Sequence, residues 1–162
     1  MKSRQSIIAL LLMSVAIFAQ NIFARKEIFI DKTALRLYVI DDNDTICSYP
    51  ISAGMNYGQK KRAGDHKTPE GSFSISMIQP SDSWTHNFHD GNGPVRGAYG
   101  PWFFRLKTPM STHIGIHGTC FPSSIGTRSS EGCIRLTNRD IKDLHKYVYV
   151  GMKVYISEDP VR

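Results

Sequence analysis

Two residues in the stretch HGTCFPSSIGTRSSEGCIRL, running from His117 to Leu136, have the types needed for nucleophilic catalysis: His117 and Cys133. A free thiol has a pKa near 8.5, so only a few per cent of it is thiolate at neutral pH, and an adjacent imidazole that takes the proton corrects this. Cys133 sits in Ser130-Glu131-Gly132-Cys133-Ile134-Arg135, where the preceding glycine allows a tight turn. Backbone N–H groups converging in such a turn can stabilise an oxyanion, and the N–H groups of Gly132 and Cys133 are the candidate donors. Cys120, followed by Phe121-Pro122, has no such setting and is left to pack or to pair with Cys47. Three cysteines make a poor disulfide framework, because at least one must stay free or pair between chains.

A metal site is the competing chemistry. His113 and His117 are four residues apart, but on a strand that spacing separates their Cα atoms by about 13 Å, too far for easy sharing of one ion. A zinc site built from His117, Cys120 and Cys133 lacks the close Cys/His spacing that marks structural zinc.

The rest of the chain must position these residues. Lys2 and Arg4, the apolar run from Ile7 to Ala19 and polar Gln20-Asn21 describe a secretory signal peptide cut after residue 19; the run is shorter than the roughly 20 residues that span a bilayer. Its removal leaves 18 basic against 14 acidic side chains, a net charge of +4. Modest positive charge suits an acidic polymer, and export argues against nucleic acid.

Residues 26–54 alternate as a meander: Ile28 and Ile30, then Leu35, Leu37 and Val39, with a turn at Asp41-Asp42-Asn43-Asp44. A long loop follows, in which Lys60-Lys61-Arg62 reads as a solvated basic face. Ser72–Ile78 alternates Phe73, Ile75 and Met77 with serines as a half-buried strand, and residues 81–100 form a second long loop. Thr137 with Asp140 caps a helix carrying Ile141, Leu144 and Val148 at helical spacing; Gly151 ends it, and MKVYIS closes as a strand. The expectation is one β-rich domain with one substantial helix after the cysteine.

His117-Gly118, a loop of about a dozen residues and Ser130-Glu131-Gly132-Cys133-Ile134-Arg135 together resemble the signature of the L,D-transpeptidase catalytic domain of the YkuD type. Thr68-Pro69-Glu70-Gly71-Ser72-Phe73 and Ile51-Ser52-Ala53-Gly54 resemble two further family segments, so the resemblance covers about residues 26–157. It implies a fold of two packed mixed sheets and a bacterial cell-wall enzyme, located in the periplasm or cell envelope. It also implies no metal or cofactor, no nucleic acid, no stable membrane insertion after signal cleavage, and action as a monomer on peptidoglycan stem peptides. By resemblance, Cys133 attacks the carbonyl between the L-configured centre of a stem tetrapeptide and its terminal D-alanine. His117 would be the base, oriented by the Gly118 backbone carbonyl; Arg135, Ser130 and Glu131 would lie at the substrate. An L,D-carboxypeptidase or a hydrolase releasing wall proteins would share this fold, and an inactive wall-binding module is a further reading. One position departs from the pattern: Glu131 stands where the family usually has His, which bears on substrate choice more than on catalysis.

Overall fold

A computed structural model of the protein describes residues 26–109 and 113–159. The signal-peptide reading falls on residues outside those described. No helix among the described residues is long and apolar enough to cross a membrane.

Three antiparallel strands open the domain: β1 (Glu27–Asp31), β2 (Arg36–Asp41) and β3 (Asp44–Pro50). The β2–β3 hairpin closes through Asp42 and Asn43, both at positive φ (47° and 74°). Asp and Asn tolerate that region best after glycine, which is why this acidic cluster makes a two-residue turn. Ile28, Ile30, Leu37 and Val39 point inward and are wholly buried. Leu35, expected to continue the alternation, instead lies in the turn before β2 at φ 52°.

The remaining elements are β4 (Ala53–Gly54), β5 (Gly71–Pro80), β6 (Thr85–Asn87), β7 (Pro94–Arg96), β8 (Trp102–Leu106), β9 (Gly115–His117), β10 (Arg128–Ser130), β11 (Ile134–Arg135), helix α1 (Asn138–Leu144) and β12 (Lys153–Ile156). Eight strands form one sheet in the order β11-β9-β8-β5-β12-β1-β2-β3. The two expected layers are the two halves of this curled sheet, and β5 belongs to both, pairing with β12 along one part and β8 along the other. A register shift between Ile75 and Met77 lets β5 turn from one half into the next. It also ends the alternation: Met77 is 45% exposed, and Ile78 takes the inward place beside the core. The curl brings the far ends together, since Ser52, just beyond β3, bridges Arg135 of β11.

Both halves contribute to one apolar core, which α1 completes with Ile141 and Leu144. Thr137 caps that helix by accepting the Asp140 N–H at 3.1 Å. The helix is shorter than the spacing suggests: it stops at Leu144, and Val148 packs on the core from the turn beyond.

The basic loop is not a solvated face throughout. Asp65 gathers it, accepting from Lys60 Nζ at 2.7 Å and from the backbone N–H groups of Lys61, Arg62 and Lys67. Burial alone would raise the Asp65 carboxyl, but these donors more than offset it and hold the group well below the usual carboxylate range. Lys60 is thereby drawn inward to 5% exposure. A second ion cluster joins Lys32, whose side chain is fully buried, to Glu70 at 2.6 Å and Asp159 at 2.9 Å; Arg128 also pairs with Asp159.

Candidate active site

The parallel pairing of β11 with β9 sets Ile134 beside Ile116 and Arg135 beside His117. Cys133 therefore enters the sheet edge one residue ahead of β11, next to the strand that ends in His117. Gly115 makes room for the histidine's support. A Cβ there would stand 2.3 Å from the Phe103 ring, and in its absence that ring stacks on His117 at 5.3 Å and 10°. Tyr99 meets the same imidazole edge-on at 4.9 Å.

His117 is 2% exposed, and its Nδ1 lies 2.5 Å from the carbonyl oxygen of Gly118. A carbonyl only accepts, so Nδ1 carries the proton and the neutral ring presents Nε2 as a bare acceptor. Burial pushes the imidazole down to about 3; the Gly118 and Tyr99 carbonyls oppose that shift, and the positive charge of Arg135 adds to it. Burial likewise pushes the Cys133 thiol up, with Glu131 adding to the rise, while a backbone hydrogen bond at Gly115 and the charges of Arg135 and Lys60 pull it back. The Cys133 thiol donates to the His113 carbonyl at 3.4 Å. At rest the site holds a neutral thiol and a neutral imidazole, with no ion pair, and the thiol's hydrogen bond goes to His113 O and not to the ring.

Both groups line one cavity of about 360 Å³, which also takes in His113, Glu131, Arg135 and, from the basic loop, Lys60. That volume lies toward the lower end of the range for small-molecule sites. The β6–β7 hairpin roofs it with His86 and Phe88, and Phe88 packs against Phe121 of the facing loop at 5.1 Å. His113 is not part of the strand, which begins only at Gly115.

The predicted residues divide by position. Arg135 lines the cavity at 8% exposure, with Nη1 donating to Ser129 O at 3.5 Å and its guanidinium over Phe88. Glu131 stands at the rim, 42% exposed, and its Oε2 lies 3.2 Å from His86 Nε2; His86 Nδ1 in turn meets the Tyr99 hydroxyl at 3.0 Å. Ser130, expected at the substrate, is fully buried. Its Oγ donates to Cys133 O at 2.5 Å and accepts the Gly132 N–H at 3.1 Å, so it braces the turn from inside. The same bond occupies the Gly132 N–H, one of the two expected oxyanion donors. Among the described residues no acceptor meets the Cys133 N–H, which leaves that group as the turn's open donor.

All three cysteines are free thiols, so Cys47 and Cys120 do not pair; Cys47 accepts instead from the Tyr49 hydroxyl at 3.3 Å. The described residues hold no cluster of three or more His, Cys, Asp or Glu able to bind a metal ion. The sequence points to no site role for His86 or Tyr99, reads Lys60 as part of a solvated basic face, and gives Thr68 no role of its own. The first three lie 34 to 73 residues before Cys133 in loops without periodicity, and Thr68 was visible only as part of the Thr-Pro-Glu-Gly segment.

Comparison with known proteins adds a second line. The sequence model of the YkuD family, described as the L,D-transpeptidase catalytic domain, matches residues 25–156. A Bacillus licheniformis protein carrying the name L,D-transpeptidase YkuD is 37% identical over 133 residues, covering 82% of this chain and 65% of its own. The Escherichia coli K12 protein named L,D-transpeptidase ErfK/SrfK is 33% identical over 149 residues, covering 85% of this chain and 46% of its own. The chain therefore spans about half to two thirds of the length of these relatives. Among solved structures, L,D-transpeptidase 3 of Mycobacterium tuberculosis, described in complex with a faropenem-derived adduct, aligns with a TM-score of 0.63 at 16% identity, over 83% of this chain and 61% of that one.

Proposed function

Because the chain belongs to the L,D-transpeptidase catalytic domain family, we propose that it is an exported cell-wall acyltransferase in which Cys133 is the nucleophile and His117 the general base. The observation that carries this reading is the pairing of a neutral thiol with a neutral, backbone-anchored imidazole on one cavity.

The steps follow from those protonation states. Cys133 Sγ attacks the carbonyl carbon of the bond joining the L-configured centre of a stem tetrapeptide to its terminal D-alanine, while Nε2 of His117 takes the thiol proton. Negative charge gathers on the former carbonyl oxygen, and the Cys133 N–H is the donor available to it. Arg135 bears positive charge on the same cavity and suits a substrate carboxylate. The carbon–nitrogen bond then breaks, the imidazolium returns its proton to the amine, and D-alanine leaves. An acceptor amine attacks the thioester, loses its proton through His117 and forms the new amide, freeing the thiol. Glu131 at the rim favours a cationic amine over water, which supports transfer over simple trimming. The apolar run at residues 7–19 behind Lys2 and Arg4 supports export to the periplasm or cell envelope.

The test is product analysis by mass. Purified protein incubated with disaccharide tetrapeptide wall fragments should release D-alanine and yield cross-linked or amine-exchanged tripeptide. The Cys133→Ala variant should yield neither. If the folded wild type releases no D-alanine, the assignment fails; release with only free tripeptide as product would make it a carboxypeptidase.

A further inference from the structure

We infer that Thr68 is a positioning residue of the acyl-transfer site, fixing the peptide plane whose N–H faces the developing oxyanion; the inference rests on the reading of Cys133 as an acylated nucleophile. Thr68 is wholly buried and far from Cys133 in sequence. Its Oγ1 accepts the N–H of Gly54 at 2.9 Å and donates to the carbonyl of Gly132 at 3.0 Å. The direction is determined: an amide N–H only donates, so the hydroxyl receives it and turns its own proton to Gly132 O.

A trans peptide holds its C=O and the following N–H antiparallel in one plane. Pinning Gly132 O to Thr68 therefore aims the Cys133 N–H away from Thr68. Cys133 lines the cavity and Thr68 does not, so the N–H is turned toward the cavity side. The two flanking peptide planes are held by Ser130, which accepts the Gly132 N–H and donates to Cys133 O. The Gly132 N–H, the Gly132 carbonyl and the Cys133 carbonyl are thereby committed, leaving the Cys133 N–H for the substrate.

The approach needed for this is close, and two glycines permit it. A Cβ on Gly54 would fall 2.5 Å from His66 O and 2.7 Å from Thr68 N. A Cβ on Gly132, which has φ 131°, would fall 2.7 Å from Lys67 O. Both contacts are with the backbone of residues 66–68, which leads into Thr68. Three segments distant in sequence are thus packed backbone to backbone around one hydroxyl.

The experiment compares two reactions of the same thiol. With 4-nitrophenyl acetate, Cys133 Sγ bonds to the acetyl carbon through a tetrahedral oxyanion, 4-nitrophenolate leaves, and the thiol proton passes to the base. With iodoacetamide, a sulfur–carbon bond forms, iodide leaves and no oxyanion arises. Peptide mass analysis restricts both readings to Cys133. In Thr68→Val, which keeps the shape and removes the hydroxyl, the ratio of acetylation to alkylation should fall about 10- to 100-fold. That is less than the 10²–10³ seen when an oxyanion donor is deleted outright, since the N–H is misaimed and not lost. Thr68→Ser should restore the ratio to within about threefold. If the valine variant does not fold, Thr68→Ala, smaller than the site, serves in its place. A folded variant lacking the hydroxyl whose ratio stays within threefold of wild type overturns the inference, as does an equal fall in the serine variant. A wild type acetylated by the ester but inert toward tetrapeptide fragments would instead sink the proposed function and leave the role of Thr68 intact. A wild type that the ester does not acetylate at Cys133 would sink both.

Discussion

Protonation of His117 offers a quantitative test of the site in a molecule with no substrate bound. The folded imidazole is held down to about 3, chiefly by burial, while in the unfolded chain it titrates near its ordinary 6.5. Between those values the unfolded state binds a proton that the native state refuses, so stability falls as pH drops below 6.5. Relative to high pH the loss at pH 4.5 is about two pH units at about 1.36 kcal/mol each, or about 2.7 kcal/mol from this one side chain, of which about 2.5 kcal/mol accrues between pH 7.0 and pH 4.5. Other groups also cost stability in acid, Asp65 among them, and a difference between two proteins removes them. The comparison is with His117→Asn, whose amide nitrogen can stand where Nδ1 meets Gly118 O and which carries no titratable group. Urea unfolding at pH 7.0 and 4.5, with coincident fluorescence and circular dichroism transitions as the two-state check, gives four free energies. Wild type should lose about 2–3 kcal/mol more than the variant on acidification. Losses equal to within 0.5 kcal/mol would show that His117 is not held neutral. The same shift bears on chemistry: acylation should not titrate near pH 6.5 but continue into acid, because the base there is still unprotonated.

Two further outcomes are expected. A carbapenem, a strained acyl donor with a carboxylate, should add one molecule per protein at the peptide carrying Cys133; Cys133→Ala should abolish the adduct and the alanine variants at Cys47 and Cys120 should keep it, as whole-protein and peptide masses will report. Glu131→His removes a carboxylate that meets His86 at 3.2 Å but is assigned no proton transfer. It should therefore leave acylation by the same compound within about tenfold, and a drop of 10³ or more would make Glu131 part of the proton-transfer machinery.

Local chemistry made much of this protein legible in one dimension. Alternating isoleucines announced β1, Asp-Asn announced the tight hairpin, and Thr137 with Asp140 announced the start of α1, because strand period, positive φ and capping are properties of neighbouring residues. Gly132-Cys133-Ile134-Arg135, with His117-Gly118 before it, pointed to the site through types and spacing alone. Contacts between distant segments decided the rest. The swing of β5 exposes Met77 because a one-residue register shift reverses the faces of a strand, and nothing in Ser-Ile-Ser-Met-Ile encodes where that shift falls. By type and place Ser130 and the Gly132 N–H face a substrate; the folded turn joins them to each other, since a buried donor must find an acceptor wherever the chain supplies one. Lys60 reads as one of three exposed bases until Asp65 draws it inward. The roles of Gly54 and Gly115 depend on which backbone or ring lies within 3 Å of where a Cβ would stand, and that of Thr68 on the two groups its hydroxyl meets; sequence carries no record of those distances until the curled sheet brings the segments together.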